Sequence, residues 1–186
     1  MTVTLNDVGV DLVKAGYEPL PITPGAKVPE IKNWSLIAID ADKVQSWLDR
    51  GRGGHYVGLR TGEVVGMDVD VDNAEVTQAL VDDAGFSLGD APIRYGKPGR
   101  ALMMFRTDAP WPKKSIKLLD PDGQEHNIEV LAKGQQFVAL GKHHSGREYT
   151  WENGSPLDTP VESLPTVTES EVSEWLQSVE DLLPEG

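Results

Sequence analysis

The chain reads as an α+β fold, with mixed or antiparallel sheets and flanking helices, and three observations predict it. Short segments rich in β-branched residues, residues 64–71 above all, alternate side chains with a period of two. Amphipathic helical patterns stand near both ends of the chain. Strands and helices mix without strict βαβ alternation, and no repeat or low-complexity segment interrupts them. A length of 186 residues suits one domain with a real core.

In order, residues 5–16 put Leu5, Val8, Leu12 and Val13 on one helical face, and Gly16 ends the helix. Residues 17–22 read as extended, and Pro24-Gly25 opens a loop that runs to Trp34. A second helix covers 40–48 with Asp40 as N-cap, and Gly53-Gly54 breaks it. Strands at 56–59 and 64–71 flank Arg60-Thr61-Gly62-Glu63, which reads as a hairpin turn. A helix at 74–84 follows an Asp72-Asn73 cap. Further strands are predicted at 92–95, 101–106, 127–131, 137–140 and 147–151. Pro156, Pro160 and Pro165 make the next stretch a strap. Thr168 opens a last amphipathic helix through Val172, Trp175, Leu176 and Val179, with Thr168 and Glu171 as its capping box. The domain expectation is therefore a body at 1–166 and a helix within 167–186, packed on it and ending in acids.

Composition excludes several classes. No apolar run approaches 18 residues, so no membrane span is expected. The N-terminus lacks the basic-then-apolar pattern of a secretory signal, which makes the cytoplasm the default compartment. With no cysteine, metal ligands are limited to carboxylates and imidazoles, a set that suits Mg²⁺ or Mn²⁺. The net charge of −13 opposes nucleic acid, but its distribution is uneven. From Glu148 onward there are ten acids and no Lys or Arg. Between 91 and 117 seven bases (Arg94, Lys97, Arg100, Arg106, Lys113, Lys114, Lys117) face one acid, Asp108. These bases are either a phosphate-binding patch or a solvated edge.

The strand at 64–71 carries the chemistry. Met67, Val69 and Val71 share one face, and Asp68 and Asp70 share the other, about 7 Å apart by the rise per residue. Two adjacent carboxylates repel, and a shared divalent cation, or a pair about 4 Å apart, would relieve them and suit phosphoryl transfer. The alternative is an exposed strand face with solvated acids that runs into a turn at Asp72-Asn73. Glu129, between Ile128 and Val130, is placed to join the same face. Gln136, His143 and His144 then stand at the ends of a buried strand and in a basic turn that could hold phosphates or simply be exposed.

Taken together, several blocks resemble the primase-polymerase domain of phage and plasmid replication proteins, within the archaeo-eukaryotic primase superfamily. They are Pro21-Ile22-Thr23-Pro24-Gly25-Ala26-Lys27-Val28-Pro29 closing on Trp34, Gly58-Leu59-Arg60-Thr61-Gly62 followed by Met67-Asp68-Val69-Asp70, and Asn127-Ile128-Glu129-Val130. The block from Gly141 to Trp151, with Ser155-Pro156-Leu157-Asp158 after it, resembles the family's closing His-x-Ser-Gly…Tyr-x-Trp segment. One departure stands out. The strand after the aspartates, Gly96-Lys97-Pro98-Gly99-Arg100-Ala101-Leu102-Met103-Met104-Phe105, lacks the Ser-x-His that most members carry, and resembles a phage-type subgroup with bases before the strand.

The resemblance implies an RRM-like catalytic core and a template-dependent nucleotidyltransferase with DNA primase and DNA polymerase activity. Asp68, Asp70 and Glu129 would be its catalytic residues and would hold two Mg²⁺ or Mn²⁺ ions. Arg60, Lys97, Arg100, Gln136, His143 and His144 would bind the nucleoside triphosphate. Arg94, Lys113, Lys114 and Lys117 would hold a single-stranded DNA template. A replicative helicase, fused or separate, is the implied partner, and the host cytoplasm the implied location for a phage protein. Two alternatives stay open: a catalytically degenerate member that only binds nucleotide or DNA, and a metal-dependent phosphohydrolase or nuclease on the same acids.

Overall fold

A computed structural model describes residues 2–97, 99–119 and 123–179; Pro98 and the acidic end of the chain beyond Val179 lie outside them. The α+β class holds, with two antiparallel sheets and four α-helices among the described residues. Helix α1 (Leu5–Lys14) is capped by a box between Thr4 and Asp7, and α2 (Ala41–Trp47) by Asp40, whose carboxylate accepts from the Lys43 amide. Strands β1 (Pro19–Ile22), β2 (Tyr56–Arg60) and β8 (Gln136–Leu140) form a three-stranded sheet in the order β1-β2-β8. The second sheet has six strands: β3 (Val64–Asp70), β4 (Ile93–Tyr95), β5 (Ala101–Arg106), β6 (Lys114–Leu119), β7 (Glu125–Leu131) and β9 (Thr150–Glu152). Their order is β6-β7-β3-β5-β4-β9.

Each face of the six-stranded sheet is covered differently. Met67, Val69, Met103, Phe105, Ile128 and Val130 pack under α3 (Ala74–Leu88) and α4 (Glu169–Ser178), with Leu80, Ala84, Val172 and Trp175 among their partners. Leu102, Met104 and Leu131 face the smaller sheet, in a second core with Leu5, Leu20, Leu59, Val44 and Trp47. The strand period of two sorts the chain between these cores, and the acids fall on the side of the smaller sheet. No helix among the described residues is long and apolar enough to cross a membrane.

The structure corrects the sequence reading in four places. Residues 60–63 are not a hairpin turn, because β2 and β3 pair with other strands in different sheets. They step the chain from one sheet to the other: the Thr61 amide donates to Gln135 O and its hydroxyl to Ala132 O, in the segment where β7 crosses back to β8. Two crossings side by side, pinned by a buried threonine, replace the turn. Strand β6 departs from the sequence expectation, which places no element there: Pro110 and Pro112 precede it and Lys114 and Lys117 interrupt its pattern, yet pairing with β7 forms it. Helix α3 runs a turn beyond Ala84, to Leu88, and the last strand lies at 150–152 rather than 147–151.

Candidate active site

The sheet register assembles the site. Asp68 of β3 lies directly opposite Glu129 of β7 on one side and Leu102 of β5 on the other. Leu102 is in turn opposite Arg94 of β4, and Glu129 opposite Ser115 of β6. Opposed residues in antiparallel strands point the same way, so Ser115, Glu129, Asp68, Leu102 and Arg94 form one row across the face toward the smaller sheet. Asp70, opposite Asn127, lies one step along the same face. Glu129, Asp68, Leu102 and Arg94 of this row floor a cleft of about 430 Å³, a size that suits a small ligand. Lys27, Val28, Trp34, Lys97, Arg100, Lys113, Gln136, His143 and Tyr149 complete its walls.

Its charges are sorted. Arg100 Nε lies 2.7 Å from Asp70 Oδ1, and its Nη2 lies 3.1 Å from Asp72 Oδ1. Lys113 Nζ is 3.3 Å from Glu129 Oε1. Burial pushes the Asp68 carboxyl up to about 6; Arg94 opposes that, and the neighbouring charges of Asp70 and Glu129 add to it. An acid raised in this way is the group a cation would relieve most. Among the described residues no three carboxylates or imidazoles already converge as a metal cage. The donor chemistry nonetheless fits a hard divalent ion, with carboxylates on adjacent strands at the spacing of opposed side chains. Arg100 and Lys113 supply the opposing charge to two of them, Asp70 and Glu129.

Arg94 differs from the template-contact expectation. Its guanidinium lies inside the cleft, 4.6 Å from the centre of the Tyr149 ring and 5.8 Å from that of Phe137, and donates from Nη1 to Val138 O on β8. Its Nε is buried without a hydrogen-bond partner among the described residues. The Tyr149 ring lies so close over Gly96 that a Cβ there would meet Cε1 at 2.5 Å, so only glycine admits the stack. His143 stands edge-on to the same ring at 6.0 Å.

Other expected contacts lie elsewhere. Arg60 does not line the cleft; it pairs with Glu18 and donates to Trp34 O and Ile37 O. Gln136 reaches the cleft but donates its amide to Lys27 O. His144 sits beside His143, ring centres 3.9 Å apart, and does not line the cleft. Lys114 points to the other face and pairs with Glu169 of α4, while Lys117 pairs with Glu125 at 3.9 Å. Of the seven bases between 91 and 117, six therefore form ion pairs; Arg94 forms none among the described residues, although its charge acts on Asp68. The basic stretch is largely neutralised within the fold. Lys27, Val28 and Trp34, which the sequence places in a loop, also line the cleft, and the Lys-x-Pro…Trp block is the signal that marks them.

No curated protein matches the chain. A family model of the bifunctional DNA primase/polymerase N-terminal domain matches residues 10–167, from within α1 to the threshold of α4. That span takes in the acid row, the stacked arginine and both sheets, and by it the chain belongs to the bifunctional DNA primase/polymerase N-terminal family.

Proposed function

We propose that this chain is a template-dependent nucleotidyltransferase of the kind used in phage or plasmid replication, in which Asp68, Asp70 and Glu129 hold two Mg²⁺ or Mn²⁺ ions. At family level the activity is DNA primase/polymerase nucleotidyl transfer, with nucleotides and DNA as substrates. The observation that supports the finer reading is the opposition of Asp68 and Glu129 on adjacent strands, with Asp70 beside them, in a cleft lined also by Lys27, Arg94, Lys97 and His143. When bound, the ions would lower the pKa of the attacking 3′-hydroxyl and neutralise the leaving pyrophosphate.

The chain's own groups divide the remaining work. Arg100 and Lys113 give up Asp70 and Glu129 as the acids take up cations, and both are then free to meet phosphate oxygens. Arg94, fixed by the Tyr149 ring and Val138 O, holds positive charge beside Asp68 without needing to reorient. Lys97 and His143 stand at the rim where a polyphosphate would leave. A replicative helicase, fused or separate, would supply the unwound template.

Extension of an end-labelled primer on a template, with and without Mn²⁺, tests the reading. Elongation that requires the divalent ion is expected. An unchanged primer would favour the degenerate, binding-only member, and a shortened one a nuclease.

A further inference from the structure

The strap between β1 and α2 has no regular secondary structure, yet it is held from beneath at two points. Gln136 donates from Nε2 to Lys27 O at 2.9 Å. Arg60 donates from Nη1 to Trp34 O at 3.0 Å and to Ile37 O at 2.6 Å, and its other nitrogen is paired with Glu18. Arg60 and Gln136 are themselves opposed residues of β2 and β8, so one rung of the smaller sheet carries both anchors. Pro29, between the anchor points, is buried.

The Lys27 side chain is exposed, lines the cleft and makes no ion pair among the described residues. It belongs to a cationic end of the site. The His143 ring is held below its ordinary pKa first by burial and then by the positive charges of His144, Lys27, Arg94 and Lys97. Cations from the strap, β4 and the turn after β4 therefore converge on this end of the cleft. A freely moving surface lysine contributes little to binding. One whose backbone is pinned over a half-enclosed cleft loses less freedom when it meets an anion, and its compact charge suits a terminal phosphate.

We infer that the strap is a fixed wall of the nucleotide pocket, that Lys27 binds the polyphosphate of the incoming nucleoside triphosphate, and that Gln136 and Arg60 are positioning residues that hold it there. The inference rests on the nucleotidyl-transfer reading and adds a contact outside both the acid row and the basic stretch.

Isothermal titration of the whole chain with deoxyadenosine triphosphate and Mg²⁺, without DNA, tests it alongside primer extension. Lys27→Gln should weaken triphosphate binding about tenfold, the worth of one charge-assisted contact, while the monophosphate binds as before. Lys27→Arg should recover most of the loss. Gln136→Leu should weaken binding in the native background and add little in the Lys27→Gln background, because the two act through one contact. Additive losses would give Gln136 a contact of its own and overturn its positioning role. Equal triphosphate affinity in native and Lys27→Gln chains that both extend primers overturns the inference alone. Absence of triphosphate binding and of extension in the native chain overturns the proposed function together with it.

Discussion

Asp68 shows how a site can be costly before it is useful. Burial and two neighbouring acids lift its pKa to about 6, against an ordinary value near 3.8. A raised acid binds its proton more tightly folded than unfolded. The stability of the metal-free chain therefore falls as pH rises between those two values, and the full cost is present above the upper one. At pH 8 that cost is on the order of 1–3 kcal/mol. Asp68→Asn should accordingly stabilise the metal-free protein by that order at pH 8 and by less at pH 5, read by thermal unfolding in chelator. An unchanged or lowered melting temperature at pH 8 would mean that Arg94 already compensates the charge. The alternation that brought Asp68 and Asp70 to one face was legible in the sequence, as was the flanking that sets Glu129 beside them. The partners of Arg60, Lys113 and Lys114 were not. An ion pair such as Lys114 with Glu169 joins residues far apart in the chain, and a single sequence carries no sign of it.

At the scale of elements, the cleft depends on an irregularity in β8. The register with β2 shifts between Val57 and Gly58, which leaves Ala139 as the extra residue of a bulge. A bulge turns successive carbonyls to the same side, and here Val138 O and Ala139 O both face the six-stranded sheet. Arg94 takes the first and Trp151 Nε1 the second, at 2.9 Å, and Arg94 and Trp151 are opposed residues of β4 and β9. Two donors from one sheet thus cap the edge of the other beside the acids. Trp151→Phe keeps the ring but leaves Ala139 O without its donor, and should cost about 1–3 kcal/mol in urea unfolding at an unchanged m-value. A loss well under 1 kcal/mol would show that water replaces the indole at this edge. Neither the bulge nor the double crossing at Thr61 was readable beforehand. A short polar link between two strands looks the same whether it turns within a sheet or steps between two, and only the pairing of β2 with β8 decides. The strands themselves were legible where acids alternate with apolar residues, as at the end of β3, or where the apolar run is unbroken, as in β5, and lost in β6, where two lysines and the prolines before it masked the pattern.

Across the whole molecule, the same sheet separates two tasks. One face is closed by α3 and α4, with Trp175 of α4 donating to Asp83 of α3 at 2.8 Å, and this side bears stability. We propose that α4 therefore folds as part of the catalytic domain rather than as an appendage. The other face opens between the sheets and gathers the charges that the net value of −13 conceals: acids on β3 and β7, cations on β4, the strap and the turn after β4. The uneven charge along the sequence pointed to phosphate chemistry, and the fold brings Arg94, Lys97, Arg100 and Lys113 of the basic stretch to the cleft, pairs the last three with acids, and adds Lys27 from a loop. The central claim is that Asp68, Asp70 and Glu129 act as one cation-binding catalytic set. Primer extension by Asp68→Ala, Asp70→Ala and Glu129→Ala chains at saturating Mn²⁺, each checked for native circular dichroism, tests it most directly. Incorporation should fall at least about a hundredfold in the two aspartate variants, with more activity left in Glu129→Ala if it holds a single ion. Native rates in Asp68→Ala or Asp70→Ala would contradict the account.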